Sequence, residues 1–240
     1  STGVYIVGYD NAPGNLQWRM QKRSLTTGSL IWSVSYNPST KEDAASDVAV
    51  DGTGVYIVGI DSTPGNWQWR VQKRSLTTGG LIWSVSYNPS TWADAAWGVA
   101  VDGTGVYIVG YDSIPGSTDL QWRMQKRSLT TGGLIWSKSY NPSTGIDMAS
   151  RVAVDSTGIY VVGHELTPSG TVNTQWRMQK RSLTTGNLIW SKSYNPSSGP
   201  DAAVGVAVDG TGVYTVGYDS ILGYPNTQWR MQKRSLTTGG

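Results

Sequence analysis

The chain has 240 residues, a formal net charge of +3, 15% charged and 38% hydrophobic residues, 30 Gly, 12 Trp, 13 Tyr, and neither Cys nor Phe. The lack of cysteine excludes a disulfide scaffold and zinc fingers, and no apolar run approaches the ~18 residues of a membrane-spanning helix. Charge falls well below the usual ~25%, so Ser, Thr, Asn and Gly make the surface polar rather than ionic.

In chain order, Val4-Tyr5-Ile6-Val7-Gly8 comes first, β-branched and aromatic, as a strand requires. Next is Gln17-Trp18-Arg19-Met20-Gln21-Lys22-Arg23, in which Trp18, Met20 and Lys22 alternate with Arg19, Gln21 and Arg23, giving a strand with two different faces. Thr26-Thr27-Gly28 turns the chain into Leu30-Ile31-Trp32-Ser33, and Val48-Ala49-Val50-Asp51 follows. Asp51-Gly52-Thr53-Gly54 is a tight turn that restarts the cycle at Val55. Gln-Trp-Arg recurs from Gln17, Gln68, Gln121, Gln175 and Gln228, at offsets of 51, 53, 54 and 53 residues. No helical periodicity is present.

Four short strands in a repeat of about 50 residues define the blade of a β-propeller. The sequence therefore predicts an all-β propeller of four-stranded antiparallel blades, one repeat domain over 1–240, with second strands beginning near residues 4, 55, 106, 159 and 213. In one blade the inner strand is expected at 48–51, the second at 55–59, the third at 68–76 and the outer at 81–87. Five second and five third strands are countable, but only four inner and four outer ones. About five blades are thus visible, with the end blades incomplete in this chain. The first residues carry no signal-peptide pattern.

The core Asp94-Ala95 followed by Val99-Ala100-Val101-Asp102-Gly103-Thr104-Gly105-Val106-Tyr107-Ile108-Val109-Gly110, with its outer Leu134-Ile135-Trp136-Ser137, resembles the SBBP-type propeller repeat of bacteria and archaea. The chain departs from that pattern in its Gln-Trp-Arg-Met-Gln-Lys-Arg strand and in lacking Phe. The resemblance implies a secreted or cell-surface, non-catalytic propeller module, and no particular ligand.

The repeat also localises where function is expected. The spacing from Leu-Ile-Trp to Val-Ala-Val is always 18 residues, and from Gln-Trp-Arg to Leu-Ile-Trp always 13. Length varies only between second and third strands, from 8 residues (9–16, 60–67) to 11 (164–174). Identity varies most there and in the loops joining blades, and alternating strand direction puts both on one face. Loops diversified on a rigid scaffold are where binding usually resides; drift in surface loops is the competing account.

On that face Asp10, Asp61, Asp112 and Asp219 open the variable loop, replaced by His164-Glu165 in the fourth blade. As ligand contacts these acids accept hydrogen bonds from sugar hydroxyls or join a calcium site with backbone carbonyls, and as structural groups they cap their own turn amides; the change in the fourth blade argues against five equal metal sites. Trp67 and Trp92 lie outside the repeat pattern as candidate stacking platforms, and Tyr218 and Tyr224 complete the ligand-binding candidates. Trp97, also outside the pattern, is expected to fill packing between blades. Asp43, Asp94, Asp147 and Asp201, with Asp51, Asp102, Asp155 and Asp209, recur in every blade, and hydrogen bonds stitching neighbouring blades are expected of them.

No catalytic residue, metal site or cofactor is expected. A single histidine and no cysteine leave little for nucleophilic catalysis, and acids in near-identical settings do not acquire the divergent pKa values of a glycosidase pair. The third strands hold 15 of the 19 cations, but alternation sends them to opposite sheet faces, against nucleic-acid binding. Expected partners are a glycan or surface protein, without membrane insertion. The alternative is a self-assembling extracellular subunit, forming a homo-oligomer or polymer through its incomplete end blades.

Overall fold

The computed structural model describes residues 3–117, 119–167, 173–220 and 226–240. It contains eighteen strands in five antiparallel sheets, each a meander in sequence order. The first sheet is β1 (Val4–Asp10), β2 (Gln17–Arg23) and β3 (Leu30–Tyr36). The second is β4 (Ala44–Val50), β5 (Val55–Asp61), β6 (Gln68–Arg74) and β7 (Leu81–Tyr87). The third is β8 (Ala95–Asp102), β9 (Gly105–Ser113), β10 (Leu120–Arg127) and β11 (Leu134–Tyr140). The fourth is β12 (Met148–Asp155), β13 (Gly158–Leu166), β14 (Thr174–Arg181) and β15 (Leu188–Tyr194). The fifth is β16 (Ala202–Asp209), β17 (Gly212–Asp219) and β18 (Gln228–Arg234). The first sheet has no inner strand and the fifth no outer one, as the repeat count requires.

The inner strands are longer than the Val-Ala-Val pattern suggests. β4 begins at Ala44 rather than Val48, and its pairing with β5 shifts register between Ala45 and Asp47. The extra residue, Ser46, is a β-bulge, recurring between Ala149 and Arg151 and between Ala203 and Gly205. A bulge breaks period-two alternation and hides the start of the strand from a pattern search.

Packing divides the chain into two compact units, 1–108 with 126–135, and 109–125 with 136–240. In the first, Trp18, Met20 and Trp32 on one face of the first sheet meet Ala45, Val55 and Ile57 of the second. The opposite face of the second sheet, Tyr56, Val58, Trp69, Val71 and Trp83, meets Ala96, Val99, Val106 and Ile108. In the second unit Tyr160, Val162, Trp176, Met178 and Trp190 pack on Ala203 and Val213. The rule is the same throughout: the Trp/Met face of one blade covers the Val/Ile/Gly face of the next. Indole nitrogens fix it, since Trp18 Nε1 donates to the Ile60 carbonyl and Trp176 Nε1 to that of Tyr218, each over 2.8 Å.

The recurrent acids act inside their own blades. Asp51 Oδ1 accepts from the Thr53 and Gly54 amides and its Oδ2 from the Tyr56 hydroxyl, closing the hairpin. Asp43 accepts from Ser39 Oγ at 3.1 Å and from the Ser62 amide at 3.0 Å, linking the loops that flank its own sheet. Bonds between blades are made by the indoles, by the lysines of the third strands, and by Asp47, which accepts from the Val99 amide at 2.9 Å.

Candidate functional site

The variable loops of the first unit enclose a groove of about 890 Å³, bounded by the 11–16 and 62–67 turns and the 40–42 and 91–93 connections. Its walls include Trp67 and Trp92, with polar atoms from Asn11, Lys41, Glu42 and Asn66. Trp92 is 54% exposed, whereas the indoles that keep the repeat pattern in the preceding sheet, Trp69 and Trp83, are buried. Trp67 is half-buried and also lines a neighbouring cavity of about 380 Å³ with Trp97, Tyr9 and Ile60. Trp97 therefore lies behind the groove rather than in it.

The groove is held open by two asparagines in equivalent places. Asn66 Nδ2 donates to Asn88 Oδ1 at 3.1 Å and to the Trp92 carbonyl at 2.6 Å, pinning the backbone that presents the Trp92 ring. Asn15 Nδ2 reaches Asn37 Oδ1 at 2.9 Å and the carbonyls of Ser39 and Lys41 at 3.0 and 2.9 Å. Lys41 Nζ then donates to the Gly65 carbonyl at 2.9 Å, tying the connection between the first two blades to the next variable loop. Each loop tip is braced by its own turn as well, with Gly14 and Gly65 at φ of 95° and 101° and their amides bonded to Asn11 and Ser62 carbonyls. A platform fixed in this way binds without first paying to order its loops.

The loop-opening acids pair with arginines of their own blades, and Asp61 and Glu165 are also hydrogen-bonded to Tyr36 and Tyr140 of the preceding blades. Asp10 faces Arg19 Nε at 2.5 Å and Gln17 Nε2 at 2.8 Å; the arginine hydrogen bond holds its carboxyl down at about 2. Asp61 is fully buried; burial raises its pKa, but hydrogen bonds from Arg70 and Gln68 outweigh this and leave it below the usual carboxylate range. Asp112 accepts from Arg123 at 2.8 Å, and Asp219 from Arg230 at 2.7 Å. Glu165 takes over the role in the fourth blade, accepting from Gln175 Nε2 and from Nε and Nη2 of Arg177. Glu165 stands in register with those aspartates, opposite Gln175 as Asp61 is opposite Gln68, and His164 takes the place of Ile60. His164 is partly buried on β13, where desolvation lowers its pKa and its Nδ1 has no hydrogen-bond partner. Tyr218, at the end of β17, is 37% exposed. Tyr224 lies outside the described residues.

Of the ten ligand-binding candidates, the structure thus brings Trp67 and Trp92 together, and places the acids in ion pairs. The asparagines were missed. Their signal is in the sequence all the same: Asn15, Asn66 and Asn173 each stand two residues before the Gln of Gln-Trp-Arg. Among the described residues no group of three or more His, Asp or Glu side chains could hold a metal ion, and no helix is long and apolar enough to cross a membrane.

No family model and no curated protein matches the chain. Among solved structures it is similar to quinohemoprotein alcohol dehydrogenase from Comamonas testosteroni, with a TM-score of 0.57 and 14% identity, over 97% of this chain and 40% of that one. A quinohemoprotein alcohol dehydrogenase from Pseudomonas putida HK5 aligns with a TM-score of 0.59 and 14% identity, over 98% and 40%. BamB from Moraxella catarrhalis aligns at 0.43 and 14%, over 98% and 76%. The chain spans two fifths of the two dehydrogenases, and at such identity the likeness concerns the fold: an all-β architecture of propeller type.

Proposed function

We propose that the chain is a non-catalytic propeller scaffold that binds a glycan through the groove between its first variable loops. The observation that carries this reading is the exposed Trp92 indole, its backbone pinned by Asn66, beside Trp67 in a cavity of about 890 Å³. A sugar ring offers apolar C–H faces to an indole and hydroxyls to the amide, ammonium and carboxylate groups around it. The rim alternates such groups, Asn11, Lys41 and Glu42, with the two tryptophans. The non-catalytic reading is supported by the engagement of the loop-opening acids in arginine pairs, which makes them poor general acids and bases. A location outside the cell rests on the resemblance of the repeat core to secreted propeller modules.

Titration of indole fluorescence with neutral oligosaccharides (β-glucan, mannan and galactan fragments) tests the reading. A saturable change that disappears in Trp92→Ala supports it. Silence across the panel, combined with capture of a surface protein through the same groove, overturns the glycan assignment.

A further inference from the structure

Two arginines are buried between sheets without an acid to answer them. On β6, Arg70 lies over the Tyr36 ring of the first sheet at 5.8 Å, and on β14, Arg177 lies over the Tyr140 ring of β11 at 5.7 Å. Strand alternation puts Gln72 and Arg74 on that same face of β6, and Gln179 and Arg181 on that face of β14. The first junction lies within the first compact unit and the second within the other. Arg74 is 7% and Arg181 6% exposed. Each gives Nε to the Oε1 of the glutamine two residues earlier at 2.8 Å, and Nη1 to a turn carbonyl, Gly79 or Gly186, at 2.9 Å. Neither makes an ion pair among the described residues, which include all 16 acidic side chains of the chain. The acids on the same faces, Asp61 and Glu165, are taken by Arg70 and Arg177. Burial pushes the Arg181 guanidinium down to about 10 and the Arg74 guanidinium below its ordinary value, the cost of holding an unanswered charge away from water.

The neighbouring groups are donors as well. Gln72 and Gln179 are fully buried, and the Nε2 of each has no hydrogen-bond partner. Turning the carboxamide over does not cure this, because it sets the amide nitrogen against the guanidinium Nε. Directly across the ladder stand Ser84, opposite Gln72, and Ser191, opposite Gln179, on the same face. Their Oγ atoms accept from Arg70 Nη1 at 3.4 Å and Arg177 Nη1 at 3.2 Å, which leaves each hydroxyl proton to donate. Each junction thus gathers an amide N–H, a guanidinium and a hydroxyl around one buried positive charge. A water molecule among them has two protons of its own to place beside donors; an anion has none.

We propose that each of these two junctions binds a small monovalent anion of the halide class, between Gln72 Nε2, Arg74 and Ser84 in the first unit and between Gln179 Nε2, Arg181 and Ser191 in the second. The anion neutralises a guanidinium that burial leaves unpaired and gives the glutamine nitrogen its acceptor. A monoatomic ion fits this chemistry better than a phosphate or carboxylate. The Nε edge of the guanidinium, which grips paired oxygens, is already occupied by the glutamine. Bound there, the ion joins the blades on either side of it and acts as a structural ligand.

The test has a crystallographic arm and a solution arm. Crystals soaked in bromide are expected to show anomalous peaks within hydrogen-bonding distance of Gln72 Nε2 and Gln179 Nε2. Thermal unfolding at constant ionic strength, with gluconate exchanged for chloride, is expected to show a saturable rise in midpoint of about 2–4 °C. A Gln72→Glu, Gln179→Glu double variant supplies the negative charge itself, so its midpoint is expected to be unmoved by chloride. Bromide peaks without any chloride dependence in solution mean an adventitious ion only and overturn the proposal. Absence of the peaks overturns it too, as does a folded double variant that responds to chloride as wild type does. If the double variant does not fold, the two wild-type measurements decide without it.

Discussion

The indole nitrogen of Trp176 donates to the main-chain carbonyl of Tyr218 over 2.8 Å, while its ring rests in the notch left by Gly217. One residue thus fixes both the spacing and the register of two neighbouring sheets. The ring excludes water from the interface, and the hydrogen bond satisfies the one polar atom that burial would otherwise leave stranded. Replacing Trp176 with Phe keeps most of the apolar contact and leaves the Tyr218 carbonyl unpartnered. Urea denaturation should show a loss of about 1–3 kcal/mol for Trp176→Phe, and about 3–5 kcal/mol for Trp176→Ala, where a cavity adds to the cost.

The glycine beneath that ring yields a paired prediction. At Gly217 a methyl group collides with Trp176 and with the backbone of the bulged inner strand, and neither can yield cheaply. At Gly8, the same position in a blade without an inner strand, the space is empty. Gly217→Ala should therefore cost about 1–3 kcal/mol, and Gly8→Ala should stay within about 0.5 kcal/mol of wild type. Equal effects at the two positions would show that β-propensity, not the blade interface, governs both.

Asp147 gives the second unit a pH dependence of definite sign. It is fully buried, and burial raises its pKa to about 6 against the hydrogen bonds from Ser143 and Leu166 that favour the ionised form. Between about pH 4 and pH 6 the folded chain holds a proton that the unfolded chain has released, so this carboxyl's contribution falls as pH rises through that window. Asp10 works in the opposite sense: its folded pKa of about 2 lies below the usual carboxylate range, so its contribution is complete above pH 4 and is lost on acidification towards pH 2. Denaturation midpoints measured from pH 3 to pH 7 should fall less steeply across pH 4–6 in Asp147→Asn than in wild type, the remaining slope of that sign belonging to Asp43 and Asp201, which burial also raises. A profile that Asp147→Asn leaves unchanged would assign the slope to other groups.

Much of this architecture was legible from spacing alone. Constant intervals of 18 and 13 residues located the inner, third and outer strands, because a blade interface tolerates no change in length. The exception was the start of each inner strand, where a bulge at Ser46 and its equivalents breaks the alternation that sequence patterns depend on. For the site, Trp67 and Trp92 stood out because they interrupt the repeat. The loop-opening acids stood out for recurring, and recurrence turned out to mark an ion pair with the arginine two residues beyond the Gln of the third strand. That pairing joins strands seven or more residues apart and leaves no local signal. Asn15 and Asn66 recur at a fixed place, but their role leaves no local signal, because their partners lie 22–26 residues further along the chain.

Asn66 separates positioning from contact in the groove. Its amide holds the Trp92 carbonyl at 2.6 Å, so Asn66→Ala should leave the indole in place but its loop free, weakening glycan binding mainly through faster dissociation. Trp92→Ala removes the platform itself while costing little stability, since more than half of the side chain is already in water. Surface plasmon resonance on both variants, with thermal unfolding alongside, checks the difference. An Asn66→Ala protein that binds as wild type does would show that the loop is ordered without it.

The most direct test of the groove is a two-dimensional NMR spectrum of the indole N–H groups, in which the 12 tryptophans report separately. Assignment by single Trp→Phe substitutions, followed by titration with the oligosaccharide panel, shows where a ligand lands. The account predicts shifts concentrated on Trp67 and Trp92, smaller ones on Trp97 behind them, and none on the blade-interface indoles such as Trp18 and Trp176. Shifts spread over the interface indoles, or a spectrum unmoved by every sugar, would contradict it.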